Sequence, residues 1–148
     1  MARLSSIKLT LATLLAATAS GASIPCPQDP TSYAVTKFFA SCIPHSLTCS
    51  YQFIVDAATT CALVPVGPDY LPEVPLTGCA DPRYSWAVTR TADGGLDLSI
   101  TTVSVVNPGV NVTGTHKIAS DELEVTNHGS VQDQSYAGPQ DFAVQVAA

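Results

Sequence analysis

Basic residues are scarce in this chain: six Lys and Arg face twelve Asp and Glu among 148 residues, a formal net charge of −6. Nucleic acid and anionic lipid are held chiefly through basic contacts to phosphate, so neither is an expected partner. Neither Cys-x-x-Cys nor His-x-x-x-His occurs, so the spacing of structural zinc sites is missing and no metal or other cofactor is expected. No nucleophile elbow accompanies any histidine, no internal repeat is visible, and no segment carries a convincing helical period. Aromatic residues make up only 7%, which leaves little for the stacking platforms of a sugar-cleaving cleft. The strands must therefore carry the fold.

What is present is a central stretch, Arg83 to Thr102, in which two β-favouring runs flank Ala92, Asp93, Gly94 and Gly95. Asp-Gly supplies the positive φ angles of a tight hairpin turn. Tyr84, Trp86 and Val88 share one face, and Leu96, Leu98 and Ile100 share one face of the return strand. Together they start a core.

Residues 1–22 read as a secretory signal peptide. Arg3 and Lys8 precede an apolar run from Leu9 to Ala17, and small residues follow, with cleavage after Ala19 or Ala22. A membrane anchor needs roughly 20 apolar residues, about twice that run. Loss of the leader removes Arg3 and Lys8 and leaves four basic against twelve acidic side chains, a formal charge of about −8. The remaining 23–148 suit one secreted domain with no further membrane segment. Its five cysteines, Cys26, Cys42, Cys49, Cys61 and Cys79, enter an oxidising compartment. An odd count leaves one thiol free or available to a second chain.

Along the mature chain, Cys26 to Thr31 is an extended arm set apart by Pro27 and Pro30. Tyr33 to Cys42 fits a strand with a bulge near Lys37 to Phe39, and Thr48 to Asp56 fits its return, with Tyr51, Phe53 and Val55 on one face. From Ala57 to Pro82, five prolines argue for an extended surface loop. Cys61 and Cys79 sit near its ends, and a bridge between them would close about 19 residues and stabilise the fold by roughly 3 kcal/mol. Further strands are expected over Val110 to Ile118, Leu123 to Thr126, Val131 to Ala137 and Phe142 to Val146. Ser120 could cap one helical turn over Ala119 to Glu124. The expected class is all-β: a single-domain antiparallel β-barrel or sandwich stapled by disulfides.

Candidate sites are few. His45 lies in a turn, His116 in a strand and His128 beside a turn glycine, so each reads as structural or solvated. Asp93 with Asp97, and Asp121 with Glu122, read as solvated turn charges rather than glycosidase carboxylates. No catalytic residue is assigned, and the chain is not expected to be an enzyme. Asn111-Val112-Thr113 is the sole N-glycosylation sequon. Tyr33, Phe53, Tyr84 and Trp86 could line a ligand pocket, although aromatics at alternating strand positions are more often core.

Several short motifs resemble the secreted fungal family typified by the major Alternaria allergen: Cys26-Pro27 followed by Tyr33-x-Val35 and Phe38, the pair Cys61 and Cys79 ahead of the aromatic strand Tyr84 to Val88, and the closing Gly138-Pro139-Gln140-Asp141-Phe142. The resemblance implies a β-barrel with a Cys61–Cys79 disulfide and a dimer linked through Cys26. It departs in having no cysteine within Ser135 to Val146, whereas Cys42 and Cys49 could bridge the first hairpin instead. What it implies about function is a secreted, non-enzymatic host-interaction protein of effector, elicitor or allergen type, with a plant defence protein as partner. The alternative is an extracellular carrier of a small apolar or phenolic ligand.

Overall fold

The computed structural model describes residues 24–67 and 69–147; the leader lies outside them. Ten strands follow in order: β1 (Ser32–Cys42), β2 (Cys49–Val55), β3 (Thr59–Leu63), β4 (Val74–Gly78), β5 (Tyr84–Arg90), β6 (Leu96–Val103), β7 (Asn111–Ile118), β8 (Leu123–Asn127), β9 (Gln132–Tyr136) and β10 (Phe142–Val146). They form one antiparallel sheet in the order β3-β2-β1-β10-β7-β6-β5-β4, with the β8–β9 hairpin joined to β1 through Ser41 and Ser135. The sheet curls into a nearly closed barrel. No helix among the described residues is long and apolar enough to cross a membrane.

The β5–β6 hairpin forms as its sequence dictates. Trp86 faces Ile100 and Val88 faces Leu98 across the ladder, all four buried, and Gly94 turns the chain at φ +84°. In β1 the expected bulge falls between Thr36 and Phe39, with Lys37 at φ +54°. One extra residue reverses the side-chain alternation, so Tyr33 and Val35 are followed into the core by Phe38, Ala40 and Cys42. The bulge leaves two amides without strand partners. The closing segment takes both: Lys37 N–H donates to Asp141 Oδ1 (3.0 Å) and Phe38 N–H to the Gln140 carbonyl (2.9 Å).

Two expectations are corrected. The proline-rich stretch 57–82 is not one loop, because it contains β3 and β4. Thr59 to Leu63 is free of proline and pairs with β2 from Val55 to Tyr51. Pro75 is tolerated in β4 because that strand lies at an edge and shifts register between Val74 and Thr77. The second correction concerns Ser120. A 3₁₀ turn covers Ser120–Glu122, but its N-cap is Ala119, whose amide is satisfied by the Glu122 carboxylate at 2.8 Å.

The barrel is closed by chemistry other than a β-ladder. β3 and β4 stand at the two ends of the strand order, and the Cys61–Cys79 disulfide joins them. Beside it Ala80 N–H donates to the Thr60 carbonyl (2.9 Å) and Asp81 N–H to Thr59 Oγ1 (2.8 Å). The second bridge, Cys42–Cys49, ties the cross-strand pair that ends the β1–β2 ladder. Cys26 is free and exposed.

Side chains fill the interior. Trp86, Tyr51, Phe53 and Phe38 are at most 1% exposed, and their rings meet in a run with centroid separations from 5.1 Å (Phe53–Trp86) to 5.9 Å (Tyr51–Trp86). Large buried side chains each contribute roughly 1.5–3 kcal/mol. One end of the barrel is stoppered by the fully buried Leu71, whose backbone is held by Gln134 Oε1 at 3.0 Å and an Arg90 guanidinium nitrogen at 3.0 Å. At the other end, among the described residues, a cleft opens to solvent above the fully buried Tyr33.

Candidate functional site

At that open end, the start of β1, the β2–β3 turn, the loop before β5 and the end of β6 converge. They form a half-open cavity of about 380 Å³ whose lining includes Pro30, Tyr33, Asp56, Tyr84, Thr102 and Val105. That volume is near the lower end of ligand pockets, which suits a small molecule. The apolar part of the wall comes from Pro30, Val103, Val105 and the half-buried Tyr84 ring. Behind Tyr84, Tyr33 packs edge-on at 6.5 Å and is itself fully buried.

The polar groups of the wall are held by hydrogen bonds. Tyr33 donates its one hydroxyl proton to the Val112 carbonyl (2.7 Å), so Thr102 Oγ1, 2.9 Å away, is the donor in the second contact. Asp56 is fixed from three sides. Its backbone N–H reaches the Ala34 carbonyl at 2.8 Å, its Oδ1 accepts Ala34 N–H at 2.8 Å, and its Oδ2 accepts the Tyr84 hydroxyl at 3.2 Å. Asp56 and Ala57 both sit in left-handed backbone, at φ +51° and +52°, a conformation that costs a non-glycine residue about 1–2 kcal/mol. Two hydrogen bonds back to Ala34 hold Asp56 there. The turn aims its carboxylate at the cavity mouth.

Burial pushes the Tyr33 phenol up from its ordinary value, and the nearby Asp56 and Asp29 carboxylates add to the shift. Burial does the same to Tyr84, followed by Asp56. The N-terminal arm is pinned along one side of the cavity by Asp29, which accepts from Ser104 Oγ and from Val105 N–H, each at 2.7 Å. The Ser104 contact is the main cause holding the Asp29 carboxyl below its usual range. Arg83 stands at the mouth, but its guanidinium forks onto Asp81, with Nε at 3.0 and 3.1 Å and a terminal nitrogen at 2.6 Å. Its charge is met locally.

Of the four aromatic residues that could line a pocket or belong to the core, Tyr33 and Tyr84 border the cavity, and Phe53 and Trp86 are core. The latter two face each other edge-on in the filled interior. None of the three histidines lines the cavity. His116 stacks on Phe142 at 4.0 Å, His128 Nε2 lies 2.6 Å from Asp133, and His45 occupies a left-handed turn position at φ +61°. Asp93 is engaged by Lys117 at 2.5 Å and by Thr91, and Glu122 caps the 3₁₀ turn. Asn111 is exposed at the start of β7, paired with Val103 beside the cavity mouth.

Sequence reasoning missed Asp29, Asp56 and Thr102. Asp56 carried the one usable signal, since Asp directly after a strand tolerates left-handed backbone. Comparison with protein-family models, with curated proteins and with solved structures finds no match to this chain.

Proposed function

We propose that this chain is a secreted, non-enzymatic binding protein whose ligand seat is the cavity at the open end of the barrel. The observation that carries the reading is a half-open cleft of about 380 Å³ with apolar and aromatic walls, set on a barrel whose opposite end is stoppered by Leu71. Pockets that hold small molecules combine such walls with a few fixed polar groups. The hydroxyls of Tyr33 and Tyr84 are already committed to internal partners, which fits positioning better than proton transfer. The reading is that of a carrier of a small apolar or phenolic ligand. Equilibrium dialysis against phenolic and alkyl probes tests it: one saturable site is expected, weakened when Tyr84→Ala removes the aromatic wall. Absence of saturable binding by any probe would remove the carrier reading.

A second reading, the host-interaction protein, is favoured by a different feature. Val106 and Val110, which do not line the cavity, are each more than half exposed and extend the exposed valines Val103 and Val105 of its rim around the β6–β7 turn. Clustered exposed apolar side chains suit a protein partner. Applied to plant tissue, the purified protein should provoke a response that Val106→Ser/Val110→Ser weakens. An inert protein would end this reading and, with it, the effector role that the allergen-like motifs imply.

A further inference from the structure

Resting on the cavity as a ligand seat, we infer that its ligand is a small organic cation: an apolar or aromatic body carrying a protonated amine that sits against Asp56. Three independent features lead there. The first is the Asp56 carboxylate, held at the mouth by two hydrogen bonds to Ala34 and one from Tyr84. A carboxylate accepts hydrogen bonds and cannot donate, so the group it recognises must be a donor.

The second feature is the balance of charge around the space. Asp56 lines the cavity and Asp29 lies behind its Ser104–Val105 edge; Arg83 is the one basic side chain in the lining. Arg83 is covered by Asp81 in a forked pair, so the local excess is negative. It adds to a molecule whose net charge is −6 overall, and a cleft of one sign concentrates ligands of the other. An anionic ligand would meet Asp56, and the one basic side chain of the lining, Arg83, is already shared with Asp81.

The third feature is the wall itself. Tyr84 is half-buried, with its ring at the cavity and its hydroxyl on Asp56. An ammonium group bound to that carboxylate would sit beside the Tyr84 ring, and aromatic side chains attract cations. The left-handed Asp56–Ala57 pair is the backbone feature that brings the solvent-exposed carboxylate beside the Tyr84 hydroxyl.

Three matched probes test the proposal by titration calorimetry: phenethylammonium, the neutral 2-phenylethanol and the anionic 3-phenylpropanoate. The expected order is ammonium tightest and carboxylate weakest, with the ammonium preferred over the alcohol by roughly five-fold, as for a mouth-exposed ion pair. Asp56→Asn keeps an oxygen for the Ala34 amide and tolerates the left-handed backbone, so it should bring the ammonium and the alcohol to equal affinity. Added salt should shrink the same preference. If Asp56→Asn does not fold, the order of the three probes and its salt dependence on the unaltered protein decide the matter. Equal or tighter binding of 3-phenylpropanoate, or an unchanged preference in Asp56→Asn, overturns the cation proposal while the cavity reading stands. Failure of all three probes to bind removes the cavity reading and the proposal together.

Discussion

Gly95 follows the left-handed Gly94 in the β5–β6 turn, and a Cβ built on it would run into the carbonyl oxygen of Ile118, with Thr91 Oγ1 3.1 Å away. Neither obstacle is the loose end of a flexible side chain. Gly95→Ala should therefore destabilise by about 1–3 kcal/mol, the usual range for overpacking a fixed site. Gly78→Ala is the control, because a Cβ there meets nothing within 4 Å, and it should stay within about 0.5 kcal/mol. Denaturant melts of the two variants make the comparison; equal losses would mean that the turn does not dock on Ile118 as described. Trp86 shows the opposite balance at residue scale. Its Nε1 is buried with no partner among the described residues, a cost of about 1–3 kcal/mol, set against full burial of the largest side chain in the core between Phe53 and Tyr51.

At the scale of elements, the seam between β3 and β4 is held by one disulfide and the two hydrogen bonds beside it, where a closed barrel has a ladder. Replacing Cys61 and Cys79 together by Ala should cost about 3 kcal/mol, and replacing Cys42 and Cys49 about 2.5 kcal/mol, on loop-closure grounds. The two pairs differ more in place than in size. Loss of the seam bridge should raise hydrogen exchange at the Ala80 and Asp81 amides, whereas loss of Cys42–Cys49 should leave those amides protected. Uniform exchange changes in both variants would contradict a local seam. Most of these elements were legible beforehand. Asp93-Gly94-Gly95 marked the central hairpin, alternation marked β2 and β6, and the irregular run Val35-Thr36-Lys37-Phe38-Phe39 marked the bulge. β3 and β4 were not, since five prolines over 57–82 masked two strands of five residues each, one of them carrying Pro75 at an edge. The candidate site was half legible. Tyr33 and Tyr84 stood out as aromatics on strands, but the residues that shape the mouth are ordinary in sequence and become neighbours only through pairings such as Ala34 with Asp56.

On the scale of the whole molecule, tyrosine ionisation reports how tightly the barrel is packed. Tyr33, Tyr51, Tyr84 and Tyr136 are all pushed above the ordinary value of 10.0, in each case chiefly by burial, and Tyr136 is pushed up to about 12. The folded state holds these protons more tightly than the unfolded state, so their contribution to stability is complete below pH 10 and is lost as pH climbs through the raised folded values. Thermal melts should be insensitive to these four groups at neutral pH and should fall in alkali, with phenolate absorbance rising together with unfolding. Full ionisation of all tyrosines near pH 10 in a still-folded protein would contradict the packing.

The same barrel has one end stoppered by Leu71 and a cleft at the other, and that cleft is the proposed ligand seat. The most direct measurement is an amide ¹H–¹⁵N correlation titration of the protein with phenethylammonium. Saturable shifts confined to Asp56, Tyr84 and the Thr102–Val105 segment, with Leu71 at the far end unmoved, are the expected result. Absence of saturable shifts, or shifts centred on the stoppered end, would contradict a ligand seat at the mouth.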